Sequence, residues 1–224
     1  MTSLGLSIPR EVSLRQQVID GLRDSILYGA LEPGQKLIER ELCEELRISR
    51  TVLREALQHL DAQGLIVNTP RRGRTVVEIG KEEAREIYEV RQALETLVGE
   101  GFARNATDEQ ISRLRVHFDQ MYAAGPVKNM LIAENEFFSI ILENCGNRIA
   151  AEFFKQLNNR VTILRRLSVF QGRRSGEKLA ELGEIVAAIE ARDIKRTGEL
   201  CAKRVAKAAE AAARLFSETA VEAG

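Results

Sequence analysis

The chain has no tryptophan, two histidines, three cysteines and no net charge. It also has no long apolar run. Each shortage excludes something. Hydrophobic residues make up 44% of the chain but aromatics only 5%, so the core must be built mostly from aliphatic side chains. That composition suits packed helices better than a β-sandwich. Cys43, Cys145 and Cys201 are widely spaced and odd in number, and no CxxC pair occurs. Neither a disulfide framework nor a zinc knuckle is signalled. No segment approaches the ~18 apolar residues of a membrane span. Arg10 and Glu11 follow closely on an N-terminus without a signal-type apolar run, so the expectation is a cytoplasmic protein. A nucleophile elbow, a glycine-rich phosphate loop after a strand and a metal-ligand cluster are all missing, which argues against an enzyme.

The charge balance narrows the choice further. Lys+Arg and Asp+Glu are 33 each. Residues 1–79 carry ten Arg and one Lys against eleven acids. A protein that coats DNA nonspecifically relies on counterion release and needs an excess of cations. A site-specific binder can instead sort its charges by face.

Such sorting is present. Residues 37–57 read as two helices joined by a turn of three or four residues. In the second helix Leu53, Leu57 and Leu60 recur at i, i+4, i+7 and can pack inward. Arg50, Arg54 and Gln58 recur on the opposite side, a front that a major groove can accept. Gly64 stands where a C-terminal glycine stops a helix. After it Leu65-Ile66-Val67 reads as a strand, Thr69–Arg74 as a polar turn with three arginines, and Thr75-Val76-Val77 as a second strand. A hairpin directly after a helix-turn-helix makes a wing. Taken alone, its arginines could equally solubilise an exposed turn.

Ahead of this unit Ser13 caps a helix with an apolar stripe at Leu14, Val18, Leu22 and Ile26. Pro33 and Gly34 mark a turn. Residues 80–83 are the expected domain junction, giving a winged helix-turn-helix over 1–79 and an all-helical domain over 80–224. No convincing strand follows. Thr107 to Gln110 forms a capping box, Cys145-Gly146-Asn147 is a stop-and-restart, and Asp193 can cap a last helix. The expected fold is mainly α, with six helices of roughly 15–25 residues in an antiparallel bundle that can hold a small molecule between facing helices. Phe137, Phe138, Phe153, Phe154 and Phe170 are expected in its core. His117, between Val116 and Phe118, is read as structural. The cations of 203–214 are read as the outer face of the terminal helix.

The N-terminal third resembles the GntR family of bacterial transcription regulators. The resemblance lies in residues 26–34 (Ile-Leu-Tyr-Gly-Ala-Leu-Glu-Pro-Gly), 49–57 (Ser-Arg-Thr-Val-Leu-Arg-Glu-Ala-Leu), Gly64-Leu65-Ile66 and Arg72-Gly73. The remainder is similar to the helical ligand-binding domain of the FadR-like subfamily, through residues 88–95, Asn144–Asn147, Ala187-Ala188-Ile189 and Arg192-Asp193. The resemblance implies a homodimer on a short inverted repeat of double-stranded DNA, a small-molecule effector in the helical domain, and repression. Carried over by position, the DNA contacts are Arg40, Ser49, Arg50, Thr51, Arg54, Arg72 and Gly73. Physical chemistry agrees with this choice. Arginine binds guanine bidentately, and a helix N-terminus favours phosphate. Where the family commonly has proline and glycine, this chain has Val52 and Arg47, and Arg47 could add a phosphate contact.

Many FadR-like domains hold a divalent metal with one aspartate and three histidines. Two histidines, one of them His59 in the motif helix, cannot supply that site. Matched by position, Glu134 replaces the aspartate, and Phe138, Leu182 and Arg204 replace the histidines. No metal and no cofactor is therefore expected. Instead Arg204 would stand in for the metal, pairing with Glu134 when empty and with a carboxylate effector when occupied. Phe138 and Leu182 would offer apolar surface, with Arg91 and Arg160 as further polar contacts. Two plainer readings remain: an ordinary Glu134–Arg204 ion pair, or Arg204 on a solvated face. The bundle could also serve only to dimerise, or could bind a protein partner.

Overall fold

The computed structural model describes residues 13–70, 72–121, 127–169 and 175–222. Two compact units divide the chain, one ending at Val77 and the other beginning at Glu78.

The first unit opens with α1 (Leu14–Tyr28), whose Ser13 cap accepts the Gln16 amide and whose end is closed by Gly29 in the left-handed region. Val18, Ile19, Leu22, Ile26 and Leu27 face inward, whereas Leu14, the first residue of α1, is 54% exposed. α2 (Glu39–Leu46) and α3 (Arg50–Ala62) form the helix-turn-helix. Ser49 caps α3 by accepting the Val52 amide. Leu53, Ala56, Leu57 and Leu60 are completely buried against α1 and the wing. Burial of a leucine side chain contributes about 1.5–3 kcal/mol, so this stripe anchors the helix while its arginine front stays out.

The wing is a two-stranded antiparallel sheet, β1 (Ile66–Thr69) with β2 (Gly73–Val76), in register Ile66↔Val76 through Thr69↔Gly73. The ladder reaches further toward the tip than the sequence reading had it. Thr69, Gly73 and Arg74, expected in the turn, belong to the strands, and Leu65 precedes β1. Gly73, at φ +73°, supplies the left-handed residue that lets a three-residue turn close on the Thr69 pair. The third wing arginine, Arg71, lies outside the described residues. The segment before α2 adds a rung, with the Leu37 amide donating to the Arg74 carbonyl at 2.9 Å.

The second unit is a bundle of α4 (Lys81–Asn105), α5 (Asp108–Met121), α6 (Val127–Asn144), α7 (Arg148–Val169), α8 (Ser175–Glu190) and α9 (Ile194–Glu222). α4 and α9 form its axis and pack against each other along their length. The close approach depends on small residues: a Cβ on Gly99 of α4 would stand 2.7 Å from Cys201 Sγ of α9. Val98, Phe102, Leu114, Phe137, Phe154, Val186 and Ile189 fill the core. Thr107 and Gln110 close the capping box reciprocally at the start of α5, and Asp193 accepts the Arg196 amide at the start of α9. Phe153 departs from expectation. It is 56% exposed because it is next to Phe154 on α7 and so points to the other side. Phe170 lies outside the described residues. His117 does serve the structure, its Nε2 lying 2.8 Å from the Ala133 carbonyl oxygen on α6. α9 is not simply an outer helix, since Arg204 on it is buried.

Candidate functional site

In the winged helix, α3 carries Arg50, Thr51 and Arg54 on its exposed side. Ser49 is also exposed, but its hydroxyl is occupied in capping. Arg40 extends from α2 with 70% of its side chain exposed and only a loose approach of 3.9 Å to Glu44. Arg72 is exposed at the wing turn, and its amide donates to Thr69 Oγ1. The seven residues expected to meet DNA therefore lie on α2, α3 and the wing of one compact unit, all exposed except half-buried Gly73.

One further residue joins them that the sequence reading missed. Glu39, the first residue of α2, accepts Arg54 Nε at 2.8 Å on one carboxylate oxygen and Arg74 Nη1 at 2.9 Å on the other. The Glu39 hydrogen bond, and then its charge, hold the Arg54 guanidinium above its ordinary range. The signal was available as an acid in a first helical turn, but its partners are 15 and 35 residues away. Arg47 has a backbone role: it closes α2 in the left-handed region at φ 53°.

In the helical unit a chain of buried ions runs between α4, α6, α7 and α9. Glu95, completely buried on α4, accepts Arg91 Nε at 2.7 Å and Arg204 Nε and Nη2 at 2.8 Å each. Arg204 Nη1 donates to Glu134 Oε1 at 2.8 Å, and Arg165 Nη2 stands 3.4 Å from the same oxygen. Arg91 Nη1 reaches Asn158, whereas its buried Nη2 has no hydrogen-bond partner among the described residues. The Phe138 ring lies 4.9 Å from the guanidinium carbons of both Arg91 and Arg204, and Phe154 lies 3.7 Å from that of Arg91. These rings cover the buried cations with their π faces.

The electrostatics follow from this arrangement. Burial alone would raise the Glu134 carboxyl, but Arg165 and Arg204 outweigh it and bring it down to about 2. Burial pulls Arg91 down to about 9, still charged at neutral pH, although Glu95 opposes the fall. Arg204 is buried too, yet its two carboxylates lift it above its usual range. Tyr88 is raised by burial to about 12 and keeps its proton.

At the Glu134 end of this chain is a cavity of about 30 Å³ lined by Tyr88, Glu134, Arg165, Lys178, Glu181, Arg204, Ala208 and Ala211. Of the six residues expected at a ligand site, the structure brings Glu134 and Arg204 to its wall. Arg91 and Phe138 stand behind them in the cluster. Leu182 does not reach the cavity: it is in the core, and Lys178, one turn earlier on α8, takes the wall position. Arg160 is not at the site either. It is half exposed and pairs with Glu83 at 2.7 Å on the bundle surface. Glu95, Arg165 and Tyr88 are members that sequence reasoning did not select.

A divalent metal does not fit this donor set. The positions matched to metal ligands hold one carboxylate, two apolar side chains and a guanidinium already bonded to that carboxylate. Among the described residues no group of three His, Cys, Asp or Glu side chains is gathered as a metal site. No helix among them is long and apolar enough to cross a membrane.

Comparison with known proteins settles the family. Residues 14–76 match the family described as bacterial regulatory proteins, gntR family, and residues 86–216 match the FCD domain. The chain belongs to the gntR family and carries an FCD domain. The HTH-type transcriptional regulator McbR of Escherichia coli K12 is 31% identical over 151 residues, covering 66% of this chain and 68% of that one. The solved structure of E. coli McbR/YncC superposes with a TM-score of 0.78 at 25% identity, covering 93% of this chain and all of that one. The gluconate operon transcriptional repressor of Bacillus licheniformis is 37% identical over 100 residues, 45% of this chain and 41% of that one. This gntR-family protein is thus a DNA-binding transcriptional regulator, not an enzyme.

Proposed function

We propose that this gntR-family regulator acts as a homodimeric repressor on an inverted-repeat operator, and that a small carboxylate bound in its FCD domain controls operator affinity. The observation that carries the effector reading is the buried Glu95–Arg204–Glu134 chain ending at a cavity. Removing ions from water costs several kcal/mol each, and an apolar core of the same shape is often at least as stable. Arginines kept inside a bundle therefore suit a ligand better than they suit stability. In the present state Glu134 occupies Arg204. An incoming carboxylate would take its place on the Arg204 and Arg165 forks, with the Tyr88 hydroxyl beside them, and would open the cavity as it did so. The winged helix supplies the DNA contacts at Arg40, Arg50, Thr51, Arg54 and Arg72, with Ser49 as the cap and Gly73 as the turn that presents Arg72. Repression is supported by the similarity to the Bacillus gluconate operon transcriptional repressor.

The test is thermal melting of the full chain against carboxylates, sugar acids and acyl thioesters, with and without divalent metal. A ligand at a hundred times its dissociation constant adds about 2.7 kcal/mol and raises the midpoint. A rise with an anion that is independent of metal supports the proposal. A rise that requires metal overturns the arginine-centred site.

The size of the cavity favours a second reading. About 30 Å³ holds roughly one water, and Arg204 already has its partner. On that reading the FCD domain only dimerises, and no anion shifts either melting or operator affinity.

A further inference from the structure

Glu39 holds two arginines from two different elements. Arg54 comes from the middle of α3, and Arg74 from β2 of the wing. The three side chains differ in exposure: Arg74 is 20% exposed, Glu39 30% and Arg54 62%. The inner pair is thus an anchor and the outer guanidinium a head. Arg54 makes its contact through Nε and has no other hydrogen bond among the described residues. Its Nη1 and Nη2 amino groups remain for a partner in front of α3. Guanine O6 and N7 accept a guanidinium in that bidentate way. Arg50, exposed on the same face, has no ion pair among the described residues.

We propose that Glu39 is a positioning residue for sequence recognition. It presets Arg54 to read one guanine, and through Arg74 it makes that setting depend on the wing. Glu39 does not touch a base. The carboxylate also lowers the local positive charge, so it trades general phosphate attraction for discrimination. Two effects that ordinarily move together are thereby separated. A loss of folding or of a phosphate contact weakens binding to every sequence. Loss of Glu39 removes discrimination at one base pair while removing an anion from the interface.

The experiment compares the full-length wild type with Glu39→Gln, a substitution of the same shape, in two measurements. One is selection from a duplex library with a randomised core. The other is binding to a fixed nonspecific duplex across salt concentration. The expected result for Glu39→Gln is a fall of about tenfold in preference for guanine at one position of each half-site. Nonspecific binding should be unchanged or tighter, with an equal or steeper salt slope. Arg54→Ala should erase the same position. Arg74→Gln should weaken it partly, without shifting other positions. An unchanged base profile in Glu39→Gln overturns the proposal. So does a new preferred base there, because that outcome means Glu39 reads the DNA directly, for example through a cytosine amino group. If Arg74→Gln lowers affinity for all sequences equally, Arg74 is a phosphate contact and the link to the wing fails.

Discussion

Arg204 on α9 grips Glu95 on α4 through two nitrogens, Nε and Nη2, at 2.8 Å each, and gives its remaining Nη1 to Glu134 on α6. The two carboxylates are not equivalent. Glu95 is completely buried and shared with Arg91, whereas Glu134 lines the cavity and meets Arg204 through a single oxygen. Glu95 fixes the arginine in place, and Glu134 is the partner that a competing anion can displace.

Glu134→Gln should therefore raise affinity for an added carboxylate, because the internal competitor loses its charge. Titration by calorimetry or melting decides this, and weaker anion binding would show that Glu134 contacts the ligand itself. The same variant has an acid signature. The Glu134 carboxyl lies at about 2 in the fold against 4.5 for an ordinary glutamate. Its folded pKa is depressed, so its contribution is complete above about pH 4.5 and is lost as pH falls toward 2. Stability of the glutamine variant should change less across that window than stability of the wild type.

Arg204→Met should abolish the response to an anionic effector and leave operator binding intact below the variant's melting temperature. It takes one cationic partner from each of two buried carboxylates, leaving Glu95 to Arg91 and Glu134 to Arg165, so it should also destabilise the bundle, by up to about 3–5 kcal/mol. Denaturant unfolding gives the stability, and operator binding with and without the anion gives the response. A normal response in Arg204→Met removes the arginine from the proposed site.

Arg54→Ala should weaken operator binding by about 1–3 kcal/mol and relax preference at one base pair. Wild-type affinity should fall steeply with salt, as phosphate contacts require. A flat salt dependence counts against those contacts.

Arg47 closes α2 at φ 53°, where a side chain other than glycine's is strained. Arg47→Gly should stabilise the first unit by up to about 1 kcal/mol, measured by unfolding at low salt. If Arg47 also touches phosphate, the same variant loses DNA affinity while gaining stability. A destabilised Arg47→Gly would mean that the arginine side chain holds the turn.

Much of this molecule is legible in its sequence because local rules govern it. The stripe Leu53, Leu57 and Leu60 predicts the buried side of α3, and Ser13, Ser49, Thr107 and Asp193 all cap the helices they precede. Periodicity and capping act over three or four residues, so they can be read along the chain. The wing bounds moved because cross-strand pairing, not side-chain alternation, decided where the ladder ended. Leu14 and Phe153 obeyed their helices but missed the core, since which side of a helix is covered depends on its neighbours.

The sequence by itself determined the element order, the arginine front of α3 and the impossibility of a three-histidine metal site. The family resemblance, rather than any local rule, put Glu134 and Arg204 at the positions of two metal ligands. Only the tertiary structure decided that Glu39 joins Arg54 to Arg74, that Glu95 and Arg165 complete the buried chain, and that Leu182 and Arg160 stand apart from the cavity. Apart from the Arg91–Glu95 pair within α4, these relationships run between elements 15 to 109 residues apart. They depend on helix rotation and packing distance, and a one-turn change from Leu182 to Lys178 is enough to exchange a core residue for a wall of the cavity.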